Sequence, residues 1–156
     1  MTTGRMYTVV ISGTASPAAA FDFFEFVGTT AKPIRIHRIR IAQTSEPTSE
    51  EEQLVISILR GHTTSGSGGG TPTPVPLNSQ STAAAFAAET MNTTVATGGT
   101  PVTILEDAWN TRAGYDIAFS PEERPHAVNG NRIVVRSGAP ADAVTIRATA
   151  WVEEIV

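Results

Sequence analysis

Apolar and polar residues alternate along most of this chain, and the places where the alternation slips are as telling as the places where it holds. In Pro33–Gln43 (PIRIHRIRIAQ), Ile34 and Ile36 sit on one parity and Ile39 and Ile41 on the other. A regular pleat would send these pairs to opposite faces. One extra residue at His37-Arg38 restores the phase, so the pattern predicts a bulged, bent strand with all four isoleucines inward. Gln53–Gly61 (QLVISILRG) answers it as a second strand. The link between them, Thr44–Glu52 (TSEPTSEEE), reads as a solvated loop, because three consecutive glutamates cannot be buried without partners.

The same reading gives strands over Arg5–Ser12, Ala20–Val27, Pro101–Glu106, Ala113–Phe119, Asn131–Ser137 and Ala143–Glu154. Ala20–Val27 (AFDFFEFV) also changes parity and is either bulged or buried on both sides. Asp107–Arg112 is expected to turn or bulge past Trp109, and Asn129-Gly130-Asn131 to make a tight turn. Ser81–Met91, rich in alanine, fits one or two helical turns or an irregular strand equally well. Eight or nine short strands without recurring helices predict an all-β fold: one antiparallel two-sheet β-sandwich over residues 1–156, jelly-roll-like or immunoglobulin-like. No helix is available to cross between parallel strands.

Residues 62–78 interrupt the rhythm. Gly61–Asn78 (GHTTSGSGGGTPTPVPLN) is flexible in its Gly/Ser half and extended in its Pro half. It is expected to be either a solvent-exposed arm or an extended strand laid against a neighbouring subunit, with Pro72, Pro74, Pro76 and Leu77 as contacts. Its glycines lack the Lys-Ser/Thr of a phosphate-binding loop and the helix that a dinucleotide fingerprint requires.

Composition narrows the chemistry. The 156 residues are 40% hydrophobic, only 17% charged, and carry a net charge of −4. That balance argues against nucleic acid and anionic membranes as partners. Cysteine is absent, so neither disulfides nor thiolate metal sites are possible. No segment has the length of a signal peptide or membrane span, and the expected place of synthesis is the cytoplasm. Asn92-Thr93-Thr94 then reads as a polar turn rather than a glycosylation site. His37, His62 and His126 are dispersed and read as surface or rim residues. Glu50–Glu52, Glu122-Glu123 and Glu153-Glu154 read as solvated charge. No HExxH, no G-x-S-x-G and no paired-histidine motif occurs, so neither enzyme activity nor a cofactor is expected. Lys32 is the only lysine. The remaining cations are arginines, which favour paired and interface roles. Arg35, Arg38 and Arg40, with His37 and with Arg60 nearby, form either a solvated face or a docking surface for an acidic partner or for Glu50–Glu52 of a neighbouring copy.

The segments MTTGRMY, RGHTTSGSGGGTPTPVPLN, AAFAAETMNTT and VVRSGAPADAVTIRATAWVEE together resemble a family of small tailed-bacteriophage virion structural proteins of the head decoration or accessory type. The resemblance implies a non-enzymatic virion component: a capsid decoration or cement protein that self-associates, with a homotrimer favoured. It would bind the major capsid protein or another virion protein on the outer head surface. An alternative from the same reading is a lectin-like or receptor-binding module recognising a host glycan, with Trp109, Tyr115 and Trp151 as stacking aromatics.

Overall fold

The computed structural model describes residues 4–45, 52–128 and 130–156. Eleven strands form two antiparallel sheets, with no helix among the described residues: β1 Arg5–Ala15, β2 Phe21–Val27, β3 Ile34–Gln43, β4 Gln53–Arg60, β5 Val75–Pro76, β6 Ala87–Asn92, β7 Val102–Asn110, β8 Tyr115–Ala118, β9 His126–Ala127, β10 Arg132–Ser137 and β11 Thr145–Glu154. The first sheet runs β5-β1-β11-β3-β8, with β9 also on β3, and the second runs β6-β2-β10-β4-β7. With β5, β6 and β9 set aside, the order is β1-β11-β3-β8 over β2-β10-β4-β7. That is the double Greek key of a jelly roll, one of the two sandwich types that the strand count and spacing left open.

The expected bulge lies at His37. Arg38 pairs with Trp151 and Ile36 with Val152, which leaves His37 as the extra residue. All four isoleucines are buried, at most 1% exposed. The bulge also divides the far edge of β3, where β8 takes Arg38–Ile41 and β9 takes Ile34 and Arg35. In β2 both alternatives hold at once: Val135 pairs with Phe24 and Arg136 with Asp22, so Phe23 is the extra residue, and the strand is buried on both faces. Phe21, Phe23, Phe24 and Phe26 join the isoleucines, Tyr7, Trp109 and the inward residues of β10 and β11 in one core. Edge-to-face contacts link Phe21 to Phe23 and Phe23 to Trp109.

Several boundaries differ from expectation. β7 continues through Asp107–Asn110 instead of turning, because Trp109 has the core to reach and pairs with Leu54 on β4. Ser81–Met91 yields no helix; its second half becomes β6, drawn out by pairing with β2. Asn92 is not a turn residue: it ends β6 and is 2% exposed. Of the acidic link, residues 46–51 lie outside the described residues, as does Asn129 of the expected turn, whose Gly130 takes a positive φ.

The Gly/Pro segment is extended, but the structure shows it on its own chain. Residues 61–70 run antiparallel to 90–97 across the outer face of the second sheet, bridged at Thr64–Thr97, Ser67–Thr94 and Gly70–Thr90. Beyond it, Val75 and Pro76 pair with Thr8 and Tyr7 as a short edge strand. The Leu77 amide donates to the Met6 carbonyl. In an antiparallel ladder this makes positions 75 and 77 face β1 and turns positions 74 and 76 outward. Both outward positions are proline, so neither offers an N–H to solvent.

Candidate interaction surfaces

Three regions hold the chain's chemistry, and each follows from which way a strand turns its polar residues. The first is a polar layer beneath the Gly/Ser segment. The doubled burial of β2 places Asp22 and Glu25 outside the core yet under a cover, at 1% and 0% exposure. Carboxylates so placed need partners, and β10 supplies them from alternate positions. The Arg136 Nε donates to Asp22 Oδ1 at 2.6 Å and the Arg132 Nε to Glu25 Oε1 at 3.0 Å. Backbone amides complete both sites: Ala96 N–H donates to Asp22 Oδ2 at 2.7 Å, and Gly66 N–H donates to Glu25 Oε2 at 2.9 Å. Asn92 Nδ2 donates both to Glu25 and to Glu89, which lie opposite each other in the β2–β6 ladder. A side chain on Gly66 would meet Asn92 Nδ2 at 2.7 Å, which explains a glycine there. The segment is thus clamped to the sheet by carboxylates that its own composition does not reveal.

His62 belongs to this layer and is not a surface residue. It is 5% exposed, and its Nδ1 is buried with no hydrogen-bond partner among the described residues. Burial lowers its pKa, and Arg136 and Arg132 lower it further against the opposing pull of Asp22 and Glu25. The fold therefore favours the neutral imidazole. The unfolded chain protonates near pH 6.5 while the native chain resists, so stability is full above that pH and falls as pH drops through it. His126, whose pKa is lowered by burial and Arg35, contributes with the same sign. A His62→Asn variant is expected to flatten the fall in melting temperature between about pH 7 and pH 5 relative to the unsubstituted chain. An unchanged profile would show that His62 titrates alike in both states.

The second region is the outer face of the first sheet. Arg35, Arg38 and Arg40 on β3 face outward, as do Arg147, Thr149 and Trp151 on β11 and Val10 and Ser12 on β1. Arg38 is spoken for: its guanidinium forks onto Asp116 and lies over the Trp151 ring, 5.3 Å from the centroid. The Arg38 hydrogen bonds hold the Asp116 carboxyl below the usual carboxylate range. His37 Nε2 meets Glu153 Oε2 at 2.7 Å. Arg35 and Arg40 have no ion pair among the described residues, and Arg147 bonds only to the Ser12 hydroxyl. Arg60 lies on β4 in the other sheet and does not join this face. Glu154, read as solvated, is fully buried; it pairs with Lys32 and accepts from the Ala85 amide.

The third region is the open side of the sandwich, where β7 ends one sheet and β8 the other. β7 has six of nine residues exposed, including Val102 at 47% and Ile104 at 40%. Ile58 pairs with Leu105 and Leu59 with Thr103, so Ile104 is bulged out of the ladder. A groove of about 320 Å³ lies between the two edges, walled by Ile104, Leu105, Ile117 and Phe119.

The three aromatics expected to stack on a sugar do not converge. Trp109 is 1% exposed in the core. Tyr115 packs against the core, its phenol pushed up to about 12 by burial and by Asp107. Trp151 lies under Arg38 on the outer face. Of the expected contact residues, Pro74 is buried, Pro72 and Pro76 are half-buried against their own chain, and Leu77 is 59% exposed. Among the described residues, no three His, Asp or Glu side chains are grouped so as to hold a metal ion. No family model, curated protein or solved structure matches this chain.

Proposed function

We propose that the chain is a non-enzymatic structural component of a tailed-phage virion, a decoration or cement protein that self-associates and docks on the outer surface of the head. The observation that supports this reading best is the open side of the sandwich. Free edge strands expose unpaired main-chain groups, and most sheet proteins blunt or cover them. Here β7 and β8 flank an apolar groove, with Val102 and Ile104 exposed beside it. Such a side can add strands from another subunit through main-chain hydrogen bonds while the groove takes their side chains. The jelly roll is used in viral shells and in lectins alike, so the fold alone does not choose between them. The separation of Trp109, Tyr115 and Trp151 removes the stacking platform that a glycan reading would use.

Co-sedimentation of the full chain with purified heads and, separately, with tails of the encoding phage tests the proposal. Stoichiometric binding to heads is expected, with the free protein running as a trimer in sedimentation velocity. An Ile104→Lys variant should keep its melting temperature, since the side chain is 40% exposed, and lose assembly. Binding to neither heads nor tails, or assembly indifferent to that substitution, would sink the reading.

A further inference from the structure

The outer face of the first sheet holds arginines that make no direct ion pair among the described residues. Arg147 is fixed in place from two sides. Its Nη1 donates to the Ser12 hydroxyl at 2.5 Å, and its guanidinium lies over the bulge at Gly13, where an added Cβ would be 3.5 Å from Nη2. Gly13 has a positive φ, which only glycine adopts readily, so the bulge and the seat it forms go together. Across the ladder, Arg40 pairs with Thr149 and Ala42 with Arg147, which puts the two guanidinium groups on the diagonal of adjacent strands. Between them lies a shallow groove of about 330 Å³ lined by Val10, Ser12, Ala42 and Thr149. Arg35 continues the row towards the other end of β3. The carboxylates on this face make their ion pairs with other cations, Asp116 with Arg38 and Glu153 with His37, although Asp116 lies opposite Arg40 and Glu153 opposite Arg35 in the ladders. Three arginines without a direct ion pair among the described residues therefore share one face of a chain whose net charge is −4.

We propose that this face is a binding site for an extended acidic segment of a partner protein, whose carboxylates are gripped by Arg40 and Arg147 and followed by Arg35. Charge complementarity identifies the occupant's sign, and spacing identifies its form. Diagonal cross-strand neighbours lie about 7–8 Å apart, close to the roughly 6.8 Å between alternate residues of an extended chain. One small anion cannot span the row, whereas a strand with acids at every second position can meet successive guanidinium forks. The groove's Val10 and Ala42 accept the aliphatic stems between the charges, and Thr149 supplies a hydroxyl donor. The site is separate from the β7–β8 side and does not rest on the proposed virion role.

The test titrates the full chain at low ionic strength with a labelled synthetic peptide of about a dozen residues alternating glutamate and threonine, read by fluorescence anisotropy. The same peptide with glutamine for glutamate, a sulfated oligosaccharide and inorganic phosphate form the other arms. Binding of the glutamate peptide should weaken steeply with added salt. It should fall about tenfold or more in R40Q/R147Q, whose melting temperature should drop little, because both side chains are exposed and the hydrogen bond lost is the exposed one from Arg147 to Ser12. Ser12→Ala should weaken it less, by freeing Arg147, and Arg60→Gln should leave it unchanged. Equal affinity for the glutamine peptide, indifference to R40Q/R147Q, or tighter binding of the sulfated sugar or phosphate than of the peptide would each overturn the proposal.

Discussion

Glu25→Ala is expected to destabilise the fold by about 3 kcal/mol, because removing one partner of a buried pair leaves the other charge uncompensated. Arg132 is 20% exposed and retains some solvent, which holds the expectation to the lower end of the range for such losses. Asn92 Nδ2 and the Gly66 amide lose an acceptor at the same time. The loss should therefore have a local signature beyond the global one. In native-state hydrogen exchange, the amides of residues 64–70 should lose more protection than those of β11. Chemical denaturation of Glu25→Ala and of the isosteric Glu25→Gln, which keeps an acceptor, measures the global part. A loss below about 1 kcal/mol for both, with the loop still protected, would mean that the bridges to residues 90–97 hold the segment without the carboxylate.

Trp109→Ala should cost a comparable or larger amount, about 3–5 kcal/mol, the range for deleting a large aromatic from a core. Trp109 is 1% exposed, stands edge-on to Phe23 at 5.4 Å and donates its indole N–H to the Ser137 hydroxyl at 3.1 Å. The substitution leaves a cavity beside Phe23, and the Ser137 hydroxyl loses the donor it accepts from while keeping its own bond to the Gly138 carbonyl. Trp151→Ala is the control: half-exposed and beneath Arg38, it should lower the melting temperature far less. A mild effect at Trp109 would place the indole outside the core after all.

The two substitutions mark the limits of what the sequence discloses. Trp109 sits in a segment expected to turn or bulge, although its size alone argues for burial, because Asp107 and Asn110 on either side carry turn chemistry. Tertiary pairing with β4 overrode that local preference. The isoleucine phase slip, by contrast, was legible to the His37-Arg38 pair, since a period of two requires one extra residue there to keep four apolar side chains on one face. The polar layer was not legible. Asp22 and Glu25 look like the solvent side of an alternating strand, and nothing local to FDFFEF says that a glycine-rich segment some 40 residues later will cover them. The reciprocal signal was there in NRIVVRS, whose arginines share the parity that the carboxylates need, but matching the two requires knowing that β2 and β10 are neighbours. For the same reason the Gly/Ser stretch reads as an arm that could be trimmed away. In the fold, removing residues 65–76 would strip the lid from two buried ion pairs and the strand from the β1 edge. Arg35, Arg38 and Arg40 were visible as a stripe. Which of them were free was not, because that depends on Asp116 arriving from β8, and Arg147 entered only through the bulge at Gly13.

The prolines at positions 74 and 76 also limit how copies can join. Edge-on addition propagates into a fibre only when a molecule offers two complementary open borders, one to receive and one to give. One flank here is sealed, with outward positions of β5 that lack donors and with β6 bridged at Thr90 by Gly70. Among the described residues only the β7–β8 flank remains open, so a fibre that grows flank to flank has no second flank to use, and edge-joined copies meet as a two-fold pair or as a ring in which β7 of one copy meets β8 of the next.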